Sequence, residues 1–223
     1  MNVAARKAMA GFALIACSLI LLFAPAWTFR FWQAWVYLAV SLAASATILA
    51  YLQRADPKLL ERRLRGPAAE KEASQNLLQV AAVIVFAGTI ILSSVDHHFA
   101  WSHVPLFATL AGYALVATCY LIIFLALREN TFAAVNIGIE ADQEVISTRP
   151  YAIVRHPYYS GLLVWIFATP LALGSWWGLL MLVPMGFVIA WRIRYEERFL
   201  TEHLRGYADY CQDVRYRLLP LVW

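Results

Sequence analysis

Charged residues are scarce in this sequence, and its cysteines show no spacing that indicates a disulfide framework. Only 14% of the 223 residues are charged while 62% are hydrophobic, which excludes a disordered chain and is unusual for a soluble domain. The three cysteines, Cys17, Cys119 and Cys211, form no CxxC or Cys/His ligand pattern, so no metal site is expected. This composition predicts a polytopic membrane protein.

Acidic and basic residues are also missing from the middle of six long apolar runs. A helix needs about 20 apolar residues to cross a bilayer, and six runs reach or approach that length: 8–26, 31–53, 77–95, 104–127, 159–174 and 177–194. We predict an all-α, polytopic membrane helix bundle of about six spans. The last two spans form a short hairpin that turns at Gly174-Ser175-Trp176-Trp177. The missing intramembrane charge disfavours an ion or proton transporter, because coupling needs a titratable group there, and leaves a carrier of neutral solutes open.

The basic residues are distributed unevenly between the two sides of the predicted bundle. With both termini in the cytoplasm, all 18 Lys and Arg except Arg30 fall in cytoplasmic segments, as the positive-inside rule requires. Six tryptophans lie near the opposite boundary, where an interfacial aromatic belt is expected: Trp27, Trp32, Trp35, Trp101, Trp176 and Trp177. The sequence therefore predicts an integral membrane protein that contacts the lipid bilayer, has cytoplasmic N- and C-termini, and binds no nucleic acid.

The first cytoplasmic loop, residues 54–75, contains a predicted short amphipathic helix. Asp56-Pro57 supplies an N-cap followed by proline at the first helical position. Leucines and Arg63 follow at helical spacing, until Gly66-Pro67 ends the run. We interpret this helix as an interfacial anchor on the inner leaflet; a part in gating substrate entry is the alternative.

The densest polar and aromatic cluster of the chain lies between Val145 and Gly161. Pro157 lacks an N–H and disfavours helix at His156, so the chain should turn there before the fifth span. Arg155 and His156 would then lie at the first free N–H groups of a helix, which can bind a carboxylate or ring nitrogens. Gly161 leaves room for a ligand or a neighbouring helix. An interfacial belt would also place Arg, His and Tyr at a membrane boundary, but this run is denser than anchoring requires.

A second cluster, Glu196-Glu197, follows the predicted hairpin. Adjacent residues of a helix point about 100° apart, so one glutamate can hold a cationic or hydroxyl-bearing ligand while the other pairs with an arginine. A solvated acidic pair is the alternative. Because the hairpin returns the chain to the same face of the membrane, we expect the two clusters to form one site.

These residues resemble those of a known family. Residues 155–161 read RHPYYSG, which fits the pattern RHPxYxG, and the glutamate pair, GYADY at 206–210 and VRYRLLP at 214–220 follow in order. Over residues 125–223 the chain resembles the isoprenylcysteine carboxyl methyltransferases and the related phospholipid methyltransferases, and it looks most similar to their bacterial members. The resemblance implies an S-adenosyl-L-methionine-dependent methyltransferase of a bacterial inner membrane, with its active site on the cytoplasmic side. The implied acceptor is lipophilic or small and membrane-soluble, with a carboxylate, thiol or amine nucleophile.

The resemblance also implies roles for two parts of the chain. Residues 1–127 would supply the first four spans and the amphipathic loop, and residues 128–223 the cofactor-binding catalytic region with the hairpin and a C-terminal lid. The implied S-adenosyl-L-methionine site includes Val145, Ile146, Thr148, Tyr151, His156, Pro157, Tyr158, Gly161, Glu196 and Glu197. The implied catalytic or substrate-orienting side chains are Arg155, His156 and Tyr158. The lid residues expected to pack inward are Phe199, Leu200, Leu204 and Tyr207.

Arg149 departs from the family pattern, because related sequences often carry glycine at this position. If that glycine adopts a positive φ, the turn is altered in this chain. An additional cation near a sulfonium would also need a counter-charge, for which the nearby candidates are Glu140, Asp142 and Glu144.

Two other functions remain open on the sequence. A membrane NADPH-dependent reductase is one, since sterol-reductase-like proteins resemble the C-terminal pattern, although the chain looks short for that class. A non-catalytic membrane carrier or scaffold is the other, in which the motif only anchors the chain. Nothing in the first four spans identifies the methyl acceptor.

Overall fold

The computed structural model describes residues 3–64, 73–133 and 143–223. The described residues form α-helices, two 3₁₀ turns at Arg149–Ala152 and Trp177–Met181, and no strand. The predicted all-α fold is therefore confirmed. The helices are α1 Val3–Ala26, α2 Trp32–Ala55, α3 Pro57–Leu64, α4 Ala73–Phe99, α5 Leu106–Glu129, α6 Pro157–Ala172, α7 Leu182–His203 and α8 Tyr207–Asp213.

Helix length and composition make this an integral membrane protein. Four helical segments among the described residues are long and apolar enough to cross a membrane: Trp32–Ala55, Gln75–Phe99, Leu106–Glu129 and Trp177–His203. Two of the six predicted spans are not among them. In α1 the described apolar stretch is limited to Ile15–Ala26. The 16 residues of α6 give a helix of about 24 Å, against a hydrocarbon core of about 30 Å.

The six tryptophans of the predicted belt lie at one end of the bundle and are all exposed. They occupy the α1–α2 connection and the start of α2, the α4–α5 loop and the turn after α6. The predicted tight turn is present there. Gly174 has φ +73°, a conformation that glycine adopts without steric cost, and the Ser175 N–H donates to the Pro170 carbonyl at 2.8 Å. The hairpin therefore returns α7 to the opposite end of the bundle, which we call the site end.

Two glycines hold α6 against α5. A Cβ on Gly112 would lie 2.4 Å from the backbone nitrogen of Ala172, and one on Gly161 would lie 2.7 Å from Cγ1 of Ile123. Both distances are shorter than real Cβ contacts allow, so the helices can approach this closely only because these positions carry no side chain. This contact fixes the start of α6 beside the end of α5 at the site end.

The short helix α3 packs against the bundle. Its N-cap is present as predicted, with the Leu59 N–H donating to Oδ1 of Asp56 at 2.9 Å. Leu59 and Leu60 are buried in a cluster with apolar side chains of α2 and α5. Leu59 and Leu60 therefore contact protein, and the role of α3 as an interfacial anchor that holds the second and third spans stays a prediction. Gly66-Pro67 lies outside the described residues.

Candidate active site

A cavity of about 380 Å³ lies at the site end, within the range of about 300–1,000 Å³ that is usual for small-molecule sites. Its walls come from helices α3, α4, α7 and α8 and from the first turns of α6. Residues 130–133 and 143–146 and the 3₁₀ turn at Arg149–Ala152 also contribute. Most of the predicted site residues line it: Val145, Ile146, Tyr151, Arg155, His156, Pro157, Tyr158 and Glu196. The cavity thus brings together two sequence clusters that the hairpin was expected to unite. Thr148, Gly161 and Glu197 lie outside its lining.

Glu197 lies behind the cavity wall and organises it. Its Oε1 is 2.8 Å from Nε of Arg155 and 3.2 Å from Nε2 of His156, and its Oε2 accepts a hydrogen bond from Nε of Arg217 at 2.7 Å. Glu197, Arg155 and His156 are buried. A buried carboxylate between two arginines compensates charges that would otherwise be costly to bury. Glu197 therefore orients Arg155 and His156.

Glu196 points to the cavity instead. Its Oε2 accepts a hydrogen bond from the Tyr159 hydroxyl at 2.8 Å, and both residues line the cavity. We expected one of the two adjacent glutamates to hold a ligand and the other to pair with an arginine, and this arrangement agrees with that expectation. In it, Glu196 is the one that faces the cavity.

The C-terminal tail closes over the start of α6. The backbone N–H groups of Arg155 and His156 donate to the carbonyls of Tyr216 and Arg217, both at 2.9 Å. The Ser160 hydroxyl donates to the Leu218 carbonyl at 2.6 Å. The prediction that the N–H groups of Arg155 and His156 are free to bind a ligand is therefore wrong. The cavity-facing first turn of α6 begins after them, at Pro157.

The α8 region, which was predicted to form a lid, packs beside the cavity, and we refer to it as the α8 lid. Leu204, Tyr207, Tyr210 and Val214 form a buried cluster against which Leu200 and Val145 pack. The expected inward packing is confirmed for Leu200, Leu204 and Tyr207, whereas Phe199 stacks on His203 with ring centroids 4.4 Å apart. The Tyr210 hydroxyl donates to the Tyr151 carbonyl at 2.7 Å and so joins the lid to the 3₁₀ turn.

Tyr151 and the lid tyrosines Tyr207 and Tyr210 are held in their neutral form. Burial raises the pKa of Tyr151 to about 12 and also raises the pKa of Tyr207 and of Tyr210. A phenol that keeps its proton near neutral pH can donate a hydrogen bond but cannot act as a base. These side chains can therefore contribute donors and aromatic surface to a bound molecule.

Arg149 stands where related sequences often carry glycine, and it adopts the positive φ that was considered for that glycine. Its φ is +53°, which costs a residue with a side chain about 1–2 kcal/mol. Its Nε lies 3.2 Å from Oε2 of Glu129, and the Thr148 hydroxyl also donates to Glu129. The counter-charge in the described residues is therefore Glu129. Of the three predicted candidates, Glu144 lines the cavity, and Glu140 and Asp142 lie outside the described residues.

Arg63 is a cavity residue whose direct contact with the motif was not predicted from the sequence. Its Nη2 donates to the Tyr158 hydroxyl at 2.7 Å, its Nη1 donates to the Ala133 carbonyl at 2.9 Å, and its guanidinium lies 4.7 Å from the centroid of the Tyr158 ring. The available signal was the position of Arg63 in an amphipathic helix on the same side as the motif. The contact with Tyr158, 95 residues away, carries no local sequence signature.

The part of the cavity between α4, α6 and α7 is apolar. Its lining consists of Leu78, Ala82, Val83, Phe86, Leu162, Met185, Val188 and Ile189. Val83 lines the cavity and is also 61% exposed, so the cavity rim reaches the exposed surface of α4. The cavity therefore has a polar half at the motif and an apolar half directed into the bundle.

Fold and site together define a class of protein: a membrane helix bundle with a two-part cavity, polar and apolar, at one end. Residues 107–206 match the phospholipid methyltransferase family model. Protein-S-isoprenylcysteine O-methyltransferase B of Arabidopsis thaliana is 32% identical over 87 residues, covering 36% of this chain and 42% of that protein. The match thus spans less than half the length of that relative. Residues 107–206, which contain the motif, are thus similar to the phospholipid methyltransferase family, and this match supports the predicted family.

Proposed function

We propose that the protein is an integral membrane S-adenosyl-L-methionine-dependent methyltransferase that acts on a lipophilic or small membrane-soluble acceptor. The observation that carries this proposal is one cavity with two unlike halves. The polar half is built from the motif and Glu196, and the apolar half reaches the exposed surface at Val83. A water-soluble cofactor and an apolar acceptor can meet in such a cavity, which supports the family's reaction for this chain.

The residues of the polar half fit S-adenosyl-L-methionine. The carboxylates of Glu196 and Glu144 and the guanidinium of Arg155 line the cavity, and they complement the cationic groups and the carboxylate of that cofactor. The Tyr207 hydroxyl is buried in the wall and has no hydrogen-bond partner among the described residues, so it is a donor without an acceptor. When bound, the cofactor would supply an activated methyl group that already carries its leaving group.

The chain's own residues orient the reactants and exclude water. Glu197 fixes Arg155 and His156, Arg63 fixes Tyr158, and the α8 lid covers the polar half. Methyl transfer by displacement mainly requires that the protein align the two reactants and exclude water from them. A thiolate or carboxylate acceptor needs no strong base, whereas an amine must arrive neutral, and the His156 imidazole would then accept its proton.

The orientation and the division of the chain belong to the same proposal. The basic residues around the site end support a cytoplasmic active site and cytoplasmic termini, in a bacterial inner membrane. Residues 128–223 would provide the cofactor half. Helices α3 and α4, which precede residue 128, complete the wall through Arg63 and the apolar residues of α4, so the catalytic region depends on the first part of the chain.

Calorimetry on the purified protein in detergent tests the proposal. We expect saturable binding of S-adenosylhomocysteine, a dissociation constant raised about tenfold or more in Glu196→Gln through loss of a charged contact, and no change in Glu202→Gln. Glu202 is a matched control because it is an exposed glutamate of the same helix. Saturable NADPH binding without S-adenosylhomocysteine binding would favour the reductase, and no binding of either would favour the carrier or scaffold.

A further inference from the structure

Two glutamines lie on one face of the otherwise apolar helix α4. Gln75 and Gln79 are one turn apart, so their side chains are neighbours. Gln75 is fully buried, and its Oε1 accepts a hydrogen bond from Nη1 of Arg192 at 2.6 Å. Gln79 lines the cavity, and both Oε1 and Nε2 of its amide are buried without a hydrogen-bond partner among the described residues. Native proteins rarely leave a buried amide unpaired, and each such group needs an explanation.

Gln79 occupies the level of the cavity at which polar residues give way to apolar ones. Gln75 and Arg192 lie towards the site end. The next wall residues along α4 are Ala82, Val83 and Phe86, which extend about 10 Å beyond Gln79 at 1.5 Å per residue. An acceptor whose apolar chain fills that half would therefore present its polar head beside the Gln79 amide.

We propose that Gln79 is a specificity-determining residue that binds the polar head of the methyl acceptor, and that this head both donates and accepts a hydrogen bond. This inference rests on the proposed function and narrows its substrate class. A primary amide offers donors at Nε2 and an acceptor at Oε1. A head that only accepts, such as an ester or an isolated carboxylate, pairs with Nε2 and leaves Oε1 buried and unpaired.

The chemistry of the head follows from this requirement. An N–H or O–H donor must lie next to an oxygen acceptor, as in an amide or in a hydroxyl or amine adjacent to a carbonyl. The predicted substrate class is therefore an apolar chain ending in a head of this kind, which also carries or adjoins the nucleophile. A simple alkyl thiol would fill the apolar half but would leave the Gln79 amide unpaired.

Ligand binding tests this inference without requiring knowledge of the nucleophile. The probes are decanamide, whose head donates and accepts, and methyl decanoate, whose head only accepts, added to protein saturated with S-adenosylhomocysteine and measured by calorimetry in one detergent. For the native chain we expect decanamide to bind about tenfold more tightly or better, since one additional buried hydrogen bond is satisfied. In Gln79→Leu and Gln79→Met this preference for decanamide should be lost. Gln53→Leu, which changes an exposed glutamine of α2, should keep the native preference.

The outcomes separate this inference from the proposed function. Equal binding of the two probes by the native chain, or a preference that persists in Gln79→Leu, would overturn the role of Gln79 alone. Failure of the native chain to bind S-adenosylhomocysteine would overturn the proposed function and this inference with it. Removal of an unpaired buried amide should also raise the melting temperature of Gln79→Leu and Gln79→Met. If both variants failed to fold, Gln79 would be a structural residue and the inference would be wrong.

Discussion

Replacing Glu197 tests whether this residue builds the site from behind its wall. The carboxylate lies within 3.2 Å of nitrogens of Arg155, His156 and Arg217, of which Arg155 is buried and Arg217 has a 34% exposed side chain. In Glu197→Ala, Arg155 would keep its charge in a buried position and lose its carboxylate partner. Breaking a buried ion pair in this way costs about 3–5 kcal/mol, and the partly exposed Arg217 adds at most about 1 kcal/mol.

The expected result is a large fall in stability. For a chain of this size, 1 kcal/mol corresponds to roughly 2–4 °C in melting temperature, so Glu197→Ala, with a total loss of about 3–6 kcal/mol, should melt about 6–24 °C below the native protein. Glu197→Gln should lose less, because its amide oxygen still accepts one hydrogen bond. The assay is thermal unfolding in detergent, followed by tryptophan fluorescence at fixed pH and salt concentration.

The adjacent glutamate provides the control. Glu196→Gln retains a carbonyl oxygen for the Tyr159 hydroxyl, so its melting temperature should stay close to that of the native protein while its affinity for S-adenosylhomocysteine falls. The reasoning would be refuted if Glu197→Ala melted at the native temperature, or if Glu196→Gln destabilised the protein as much as Glu197→Ala.

Four further outcomes are expected. In thermal unfolding, Gly112→Ala should lose about 1–3 kcal/mol of stability through overpacking, because its Cβ would lie 2.4 Å from the α6 backbone. Gly186→Ala, whose Cβ would have nothing within 4 Å, should be neutral or slightly stabilising. Arg149→Gly should leave the melting temperature nearly unchanged, because relief of the left-handed conformation is offset by a more flexible unfolded chain and a lost exposed ion pair; a marked fall would contradict this. The free energy of unfolding should decline between about pH 10 and 12. Burial raises the pKa of Tyr151 to about 12 in the folded chain from the ordinary 10.0, so the unfolded state releases the proton first as the pH rises. Tyr151→Phe should show a smaller decline. Arg63→Leu should lower methyl transfer to extracted lipids about tenfold or more, because the charged hydrogen bond that holds Tyr158 is lost; unchanged transfer would contradict the positioning of Tyr158 by Arg63.

Some of the site was accessible from the sequence because its signals are local. The motif at residues 155–161 is contiguous, proline fixes the start of α6, and the glycine turn fixes the hairpin that brings Glu196-Glu197 back to it. Hydropathy and the distribution of basic residues depend only on composition along the chain, so they indicated the membrane class and distinguished its two ends. These signals were sufficient to predict the family resemblance and a set of site residues most of which line the cavity.

Other features were decided by tertiary packing. Gly161 was expected to bind cofactor, but in the fold it lies outside the cavity lining and against α5, since helical spacing does not reveal which neighbour occupies a given face. The N–H groups of Arg155 and His156 were expected to be free, but the tail, about 60 residues further along the chain, supplies their acceptors. Such contacts join segments that have no shared local pattern.

The sequence by itself determined an all-helical membrane chain, its polar motif and the family that residues 107–206 resemble, because each follows from hydrophobicity, backbone restriction or residue order. Only the tertiary structure decided that Glu196 faces the cavity and Glu197 supports it, that Arg63 holds Tyr158, and that Gln79 lies unpaired on the wall. The physical reason is that a helix presents every side chain at a definite angle, while the burial and partner of each side chain depend on how distant helices pack around it.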